Sequence, residues 1–246
     1  MAQDRDTTER QPRRSYVPEY LFTGKKLRVS LRGPRTAKLM VTYDYWSRHK
    51  PGFGQLNRRS RYADRGFTHL HLHSRQNDWF LNRETEEALA VIEAYAKGFE
   101  GAASIGFSMG GFGAMLLSRA VDFDRVLMVS PHITFSPHQY PYETRFPAHI
   151  GNLGRALKLN ERVVSSPPAR GSAAVIFDSR VEGDLYHAET AANRFSHFEL
   201  VDLTGGGHPA TTAITRGGFF SRVLDAITGD GLDMGPIRHA HAGLQA

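Results

Sequence analysis

The sequence predicts an α/β protein, with a mainly parallel sheet, helices on both faces and a small insertion over the strand ends. Three observations carry this. Short apolar runs of strand character alternate with segments whose apolar residues recur at helical spacing, the order that a parallel sheet with crossover helices requires. A chain of 246 residues with 40% hydrophobic content can bury one full core. A run of glycines, GFSMGGFG at residues 106 to 113, stands where a strand-like segment passes into a helix.

Residues 1 to 24 lack apolar periodicity and are expected to form a mobile tail. Strands are expected at 26–32 (KLRVSLR) and 38–45 (KLMVTYDY), and since only GPRTA separates them, the pair suggests an antiparallel hairpin. A helix is expected at about 55–64, a strand at 67–73 (FTHLHLH), and a helix at 83–99, where Ala88, Val91, Ile92, Tyr95 and Ala96 make one buried stripe. Strand 103–108, helix 109–121 and strand 125–130 follow. The interval 131–170 breaks the rhythm with prolines and aromatics, including Phe135, Tyr140, Tyr142 and Phe146. It reads as an insertion over the strand ends that either shapes a pocket or packs as a structural excursion. Strand 173–178, helix 184–195, strand 198–203 and helix 210–227 complete a domain expected to span 25–228, with 229–246 as a C-terminal tail.

Composition narrows the function classes. With no cysteine, thiolate catalysis, disulfides and cysteine-ligated zinc are excluded. No apolar run approaches the roughly 18 residues that cross a bilayer, and the first residues are charged, so no membrane span and a cytoplasmic location are expected. The formal charge of +6 falls in two loose groups, Arg5 to Arg14 and Arg48 to Arg65. The second is interleaved with turn residues and reads as solvated surface rather than a nucleic-acid site, while an anionic substrate stays open.

Gly106, Ser108 and Gly110 match G-x-S-x-G between a strand and a helix. Glycines two residues either side of the serine suit a bend tight enough to bring neighbouring backbone against them. Such a bend holds the hydroxyl at the carboxyl edge of the sheet, with the Met109 amide at a helix N-terminus to stabilise an oxyanion. A serine hydroxyl needs a base and a group to orient that base. His208, in the glycine-rich loop after strand 198–203, supplies the imidazole. Asp184, a few residues past strand 173–178, is the first candidate for the carboxylate and Asp178, at that strand's end, the second. Each has a plainer reading: His208 as a surface-loop residue, Asp184 as a helix N-cap.

In element order from about 25 to 228, with GFSMGG as its most specific motif and GGGHPAT in support, the chain resembles an α/β-hydrolase. The resemblance implies a cofactor-free serine hydrolase, esterase-like, with Ser108 as nucleophile, His208 as general base and acid, and Asp184 as orienting carboxylate. The aromatics of the insertion suit an apolar or sugar-like ligand, so a small-molecule or glycan-like acyl substrate is expected. An acyltransferase on the same triad and a non-catalytic binding protein that keeps the fold are the alternatives. No HGGG segment is present for a second oxyanion donor, which leaves the amides near Asp44 and Tyr45.

Two further clusters lie near the same edge. His69, His71 and His73 share one strand face, as metal ligands or, on the plainer reading, as hydrogen-bonded histidines; no metal is expected. Trp79 and Phe80 follow that strand, either to stack on substrate or to anchor the next helix.

Overall fold

The computed structural model describes residues 14–54 and 57–244. Eight strands form one sheet: β1 (Glu19–Thr23), β2 (Leu27–Arg32), β3 (Lys38–Tyr43), β4 (Phe67–Ser74), β5 (Gly101–Phe107), β6 (Arg125–Val129), β7 (Ala169–Phe177) and β8 (Phe195–Asp202), in spatial order β1-β2-β4-β3-β5-β6-β7-β8. Strands β3 to β8 run parallel, and β1 and β2 are antiparallel to their neighbours.

The expected hairpin of 26–32 with 38–45 does not form: β4 lies between the two and pairs antiparallel with β2 and parallel with β3. The reason is burial. Five of the six residues of β3 are buried, which suits a central strand flanked by β4 and β5, whereas a hairpin with β2 would have put β3 nearer the edge. The strand β1 lies inside the stretch expected to be a mobile tail, and its largely exposed pattern explains why no apolar alternation announced it. Residues 1–13 of that stretch, and the start of the helix expected at 55–64, lie outside the described residues; past them, the latter holds only a short 3-10 turn, Ala63–Arg65.

The helices are α1 (Thr85–Ala96), α2 (Met109–Leu117), α3 (Pro147–Gly151), α4 (Leu157–Val164), α5 (Asp184–Ala192), α6 (Thr211–Arg216), α7 (Phe220–Thr228) and α8 (Gly235–Ala242). Two cores flank the sheet. One joins Leu27, Val41 and Val126 to Ile92 of α1, Leu116 of α2, Val163 of α4 and Ala188 of α5. The other joins Met40, Ile105 and Leu127 to Ile214 of α6, Val223 of α7 and Ile237 of α8. The C-terminal stretch expected as a tail therefore contributes a packed helix, because Ile237 is wholly buried.

In the insertion, Ile150, Leu153, Leu159 and Val163 are buried against the first core. Phe135 is buried, and Tyr140 stacks on Tyr186 of α5 at 4.1 Å, so these aromatics hold the segment down. Tyr142 alone of the four named aromatics is largely exposed.

Candidate active site

The parallel strands end on one edge, and β5 delivers Ser108 to its middle, between β3 and β6. Ser108 has φ 48 and ψ −114, a left-handed conformation that a side chain adopts only under constraint. The constraint is visible in its hydrogen bonds. Its N–H donates to the Val129 carbonyl at 2.9 Å, and its carbonyl accepts from Gly111 at 2.9 Å and His132 at 3.2 Å. The flanking glycines are required by contact: a Cβ on Gly106 would lie 2.1 Å from the Gly110 carbonyl oxygen, and one on Gly110 would lie 3.0 Å from the Asp44 carbonyl. The last contact shows that the chain leaving β3 passes directly over the turn.

The loop between β8 and α6 carries His208 and is tied at two points. Gly207 N–H donates to Asp178 Oδ2 at 2.8 Å, and Ala210 N–H donates to Ser130 Oγ at 2.9 Å. The imidazole Nε2 lies 3.1 Å from Ser108 Oγ, and Nδ1 lies 3.0 Å from both carboxylate oxygens of Asp184. An ionised carboxylate only accepts, so Nδ1–H donates to Asp184 and Nε2 is left to accept from the serine hydroxyl. Asp184 opens α5 with its side chain wholly buried. Burial opposes its charge, but hydrogen bonds and charge from His208 and Arg145 outweigh that and hold the carboxyl below its ordinary range.

Arg145, from the insertion, was not singled out by the sequence. Its Nη1 donates to Asp184 Oδ1 at 2.7 Å and lies 3.5 Å from His208 Nδ1, while Nε and Nη2 fork onto the two oxygens of Glu143 at 3.0 and 2.9 Å. Glu143 also accepts from the buried His132 and His187, at 2.9 and 2.7 Å. Burial drives the His132 imidazole down to about 3, so it is neutral, and His187 is lowered for the same reason. The result is a buried row of alternating charge, Glu143, Arg145 and Asp184, ending at the imidazole. Glu143 and Arg145 sit two residues apart with no local motif around them, and only folding brings them to Asp184, so nothing in the sequence marks them.

The remaining candidates separate. Asp178 does not touch His208: it accepts from the backbone N–H groups of Arg180 and Gly207 and thereby holds the loop. Met109 opens α2, so its amide is among the first-turn N–H groups that have no intrahelical partner. Tyr45 lies just past the Asp44 carbonyl that covers Gly110, and the residue is 64% exposed.

Trp79 and Phe80, expected either to stack on substrate or to anchor the next helix, are both 0% exposed. Trp79 packs on Phe135 and His132 at 5.0 and 5.3 Å and Phe80 on Tyr43 at 6.0 Å, because successive left-handed residues turn both rings inward. They anchor the segment before α1 and present no face to a ligand.

The three histidines of β4 are hydrogen-bonded. His69 bonds Ser60 and Thr42, His71 bonds Thr42 and Asp44, and His73 bonds Ser30. Burial lowers His71 to about 4 and His69 well below its usual value. Asp44, opposed by burial but favoured more strongly by the hydrogen bond with His71 and by the nearby His73 and Lys50, stays ionised. Asp44, His71 and His73 bring one ligand atom each within 4.8 Å of one another, as do His132, Glu143 and His187.

No family model and no curated protein matches the sequence. Solved structures do. The capsule O-acetyltransferase of Neisseria meningitidis serogroup A is similar at a TM-score of 0.55 and 13% identity over 84% of this chain and 94% of that one. A sugar hydrolase from Lactococcus lactis is similar at 0.52 and 12% identity over 93% and 95%. The likeness is one of fold: an eight-stranded, mainly parallel sheet with helices on both faces.

Proposed function

We propose that this protein, an α/β-hydrolase by fold, is an esterase-like serine hydrolase acting through an acyl-enzyme. The observation that carries the reading is the unbroken hydrogen-bonded series from Ser108 Oγ through His208 to Asp184, at 3.1 and 3.0 Å. A non-catalytic role would leave no reason to keep a serine in a strained left-handed turn beneath an oriented imidazole.

In the proposed reaction Ser108 Oγ attacks the acyl carbonyl carbon while its proton passes to His208 Nε2. The resulting oxyanion is stabilised by the Met109 amide, with the Tyr45 amide as second donor. When the tetrahedral intermediate collapses, the bond to the alcohol breaks and the imidazolium returns its proton to the departing oxygen. Water then repeats the attack on the acyl-serine, with His208 again taking a proton, and the acid is released. Asp184 holds the imidazole tautomer and offsets its positive charge throughout.

A phosphonate directed at serine tests the assignment. The folded protein is expected to form one adduct, on Ser108, and Ser108→Ala to lose both the adduct and hydrolysis of phenyl acetate. Absence of an adduct on the folded protein overturns the hydrolase reading.

A second reading, transfer of the acyl group to a hydroxyl other than water, is supported by the O-acetyltransferase that shares the fold. Product partitioning decides between them: a sugar alcohol added to the assay diverts acyl groups from the free acid only if the acyl-enzyme prefers that acceptor.

A further inference from the structure

Arg32 is the last residue of β2 and pairs in register with His69 of β4. Side chains alternate along a strand, so Arg32 lies on the same sheet face as Ser30, His69 and His71. From the pairings of β3 with β4 and β5, Thr42, Ile105 and Phe107 share that face. A cavity of about 490 Å³ opens over this strip, lined by Arg32, Arg59, Arg61, His69, His71 and Phe107 among others; Phe107 directly precedes Ser108 in the chain.

The guanidinium at the floor of this cavity is favoured by Asp44 only at a distance, with no direct ion pair between them. Arg32 is 6% exposed, and among the described residues no carboxylate lies within salt-bridge distance of it. Among the described residues its one hydrogen bond is from Nη1 to the Asn57 carbonyl at 3.1 Å, and its buried Nε has no partner there. A buried guanidinium is ordinarily paired, because desolvating the charge is costly. The cavity's carboxylate, Asp44, is already engaged by Lys50 at 2.9 Å, His71 at 3.0 Å and the Ser74 N–H at 3.1 Å. The histidines add no compensating negative charge, since an imidazole is either neutral or cationic.

At the rim, Arg61 lies over the Phe220 ring at 4.8 Å, and Phe220 stacks on Phe107 at 6.4 Å, which ties the cationic rim to the residue before the nucleophile. A metal ion at Asp44, His71 and His73 is the competing occupant. The fixed charge of Arg32, which also opposes protonation of His69 and His71, disfavours a cation there.

We infer that this cavity is an oxyanion-binding subsite in which Arg32, with Arg59 and Arg61 at the rim, holds a carboxylate or phosphate group of the substrate beside Ser108. The inference rests on the hydrolase reading for its link to substrate, but the binding of the anion does not. The substrate class is therefore an ester of an acidic compound, such as an acidic sugar or a phosphorylated alcohol, whose charge is matched before the acyl group reaches the serine.

Titration calorimetry on the full chain, with inorganic phosphate in one arm and glucuronate in the other, tests the site. Wild type is expected to bind at least one of them, and the tighter arm names the anion. Arg32→Met is expected to weaken that binding about tenfold or more, and Arg32→Lys to weaken it less. Removing an unpaired buried charge should leave the Arg32→Met melting temperature no lower than wild type. If that variant fails to fold, Arg61→Gln at the rim replaces it, with an expected loss of about threefold. No binding of either anion up to about 10 mM, or equal affinity in wild type and variant, overturns the proposal.

The ratio of kcat/KM for 4-acetoxybenzoate over phenyl acetate separates the two readings. Anion binding that depends on Arg32 without any esterase activity leaves the subsite and removes the hydrolase. Activity with a ratio unmoved by Arg32→Met keeps the hydrolase and removes the subsite.

Discussion

Replacing Arg145 by methionine removes the cation between two buried carboxylates while leaving the His208–Asp184 contact available. The side chains of Asp184 and Glu143 are 0% and 3% exposed and that of Arg145 is 22% exposed, so most of the pairing is desolvated. Breaking a buried pair by removing one partner costs about 3–5 kcal/mol. The residual exposure of Arg145 and the two histidines still bound to Glu143 favour the lower end, about 3 kcal/mol at neutral pH. For a chain of this size that is a fall in melting temperature of about 6–12 °C.

The pH dependence has a fixed sign. Both carboxyls are held below their ordinary values in the folded protein, so what they contribute is present above the unfolded values of 3.8 and 4.5 and is lost as pH falls through the folded ones. Without Arg145 the folded values rise, and the unpaired carboxylates neutralise earlier on acidification. The gap between variant and wild type should therefore be full at neutral pH and shrink toward pH 4.

Calorimetry from pH 4 to 8 measures it, with kcat/KM for phenyl acetate expected to fall about tenfold as Asp184 loses its second anchor. Arg145→Lys should recover less than half of the stability, since a single ammonium cannot reproduce the fork onto Glu143. A melting temperature within about 2 °C of wild type at pH 7 would refute the reasoning, as would a gap that widens in acid.

Exchange of the two candidate carboxylates separates their roles. Asp184→Asn should lower kcat/KM by about 10⁴ through the wrong imidazole tautomer, with the fold retained by circular dichroism. Asp178→Ala should instead release the Gly207 N–H and loosen the His208 loop, lowering kcat/KM by about tenfold and stability by about 1–2 kcal/mol; equal losses from the two would contradict this. Trp79→Ala, emptying a wholly buried position, should cost about 3–5 kcal/mol of stability in chemical denaturation. A specific rise in KM with unchanged stability would return Trp79 to the substrate surface.

Local patterns carried much of this protein into view. The central strands lie where their apolar runs predict, because a strand buried on both faces must be apolar at nearly every position. The glycines at 106 and 110 could be read as a close backbone approach before any coordinates, since little else explains two missing side chains around a polar residue. The edge strand β1 escaped notice because an exposed strand needs no alternation, and α8 because its apolar anchor is chiefly Ile237. Trp79 and Phe80 were equally consistent with a ligand surface and with a core. Burial is a property of what lies opposite a residue, and the partners of Trp79, His132 and Phe135, are more than fifty residues away.

By itself, then, the sequence determined the layered class, the sharp serine turn and the approximate place of each parallel strand, because these follow from periodicity and from steric limits within a few residues. Tertiary structure alone decided that β4 separates β2 from β3, that Asp184 rather than Asp178 meets His208, that Arg145 backs that carboxylate, and that Arg32 makes no ion pair among the described residues. Each of these is a matter of which groups meet across the fold. Desolvation and pairing act on distances in space, and no local pattern records them.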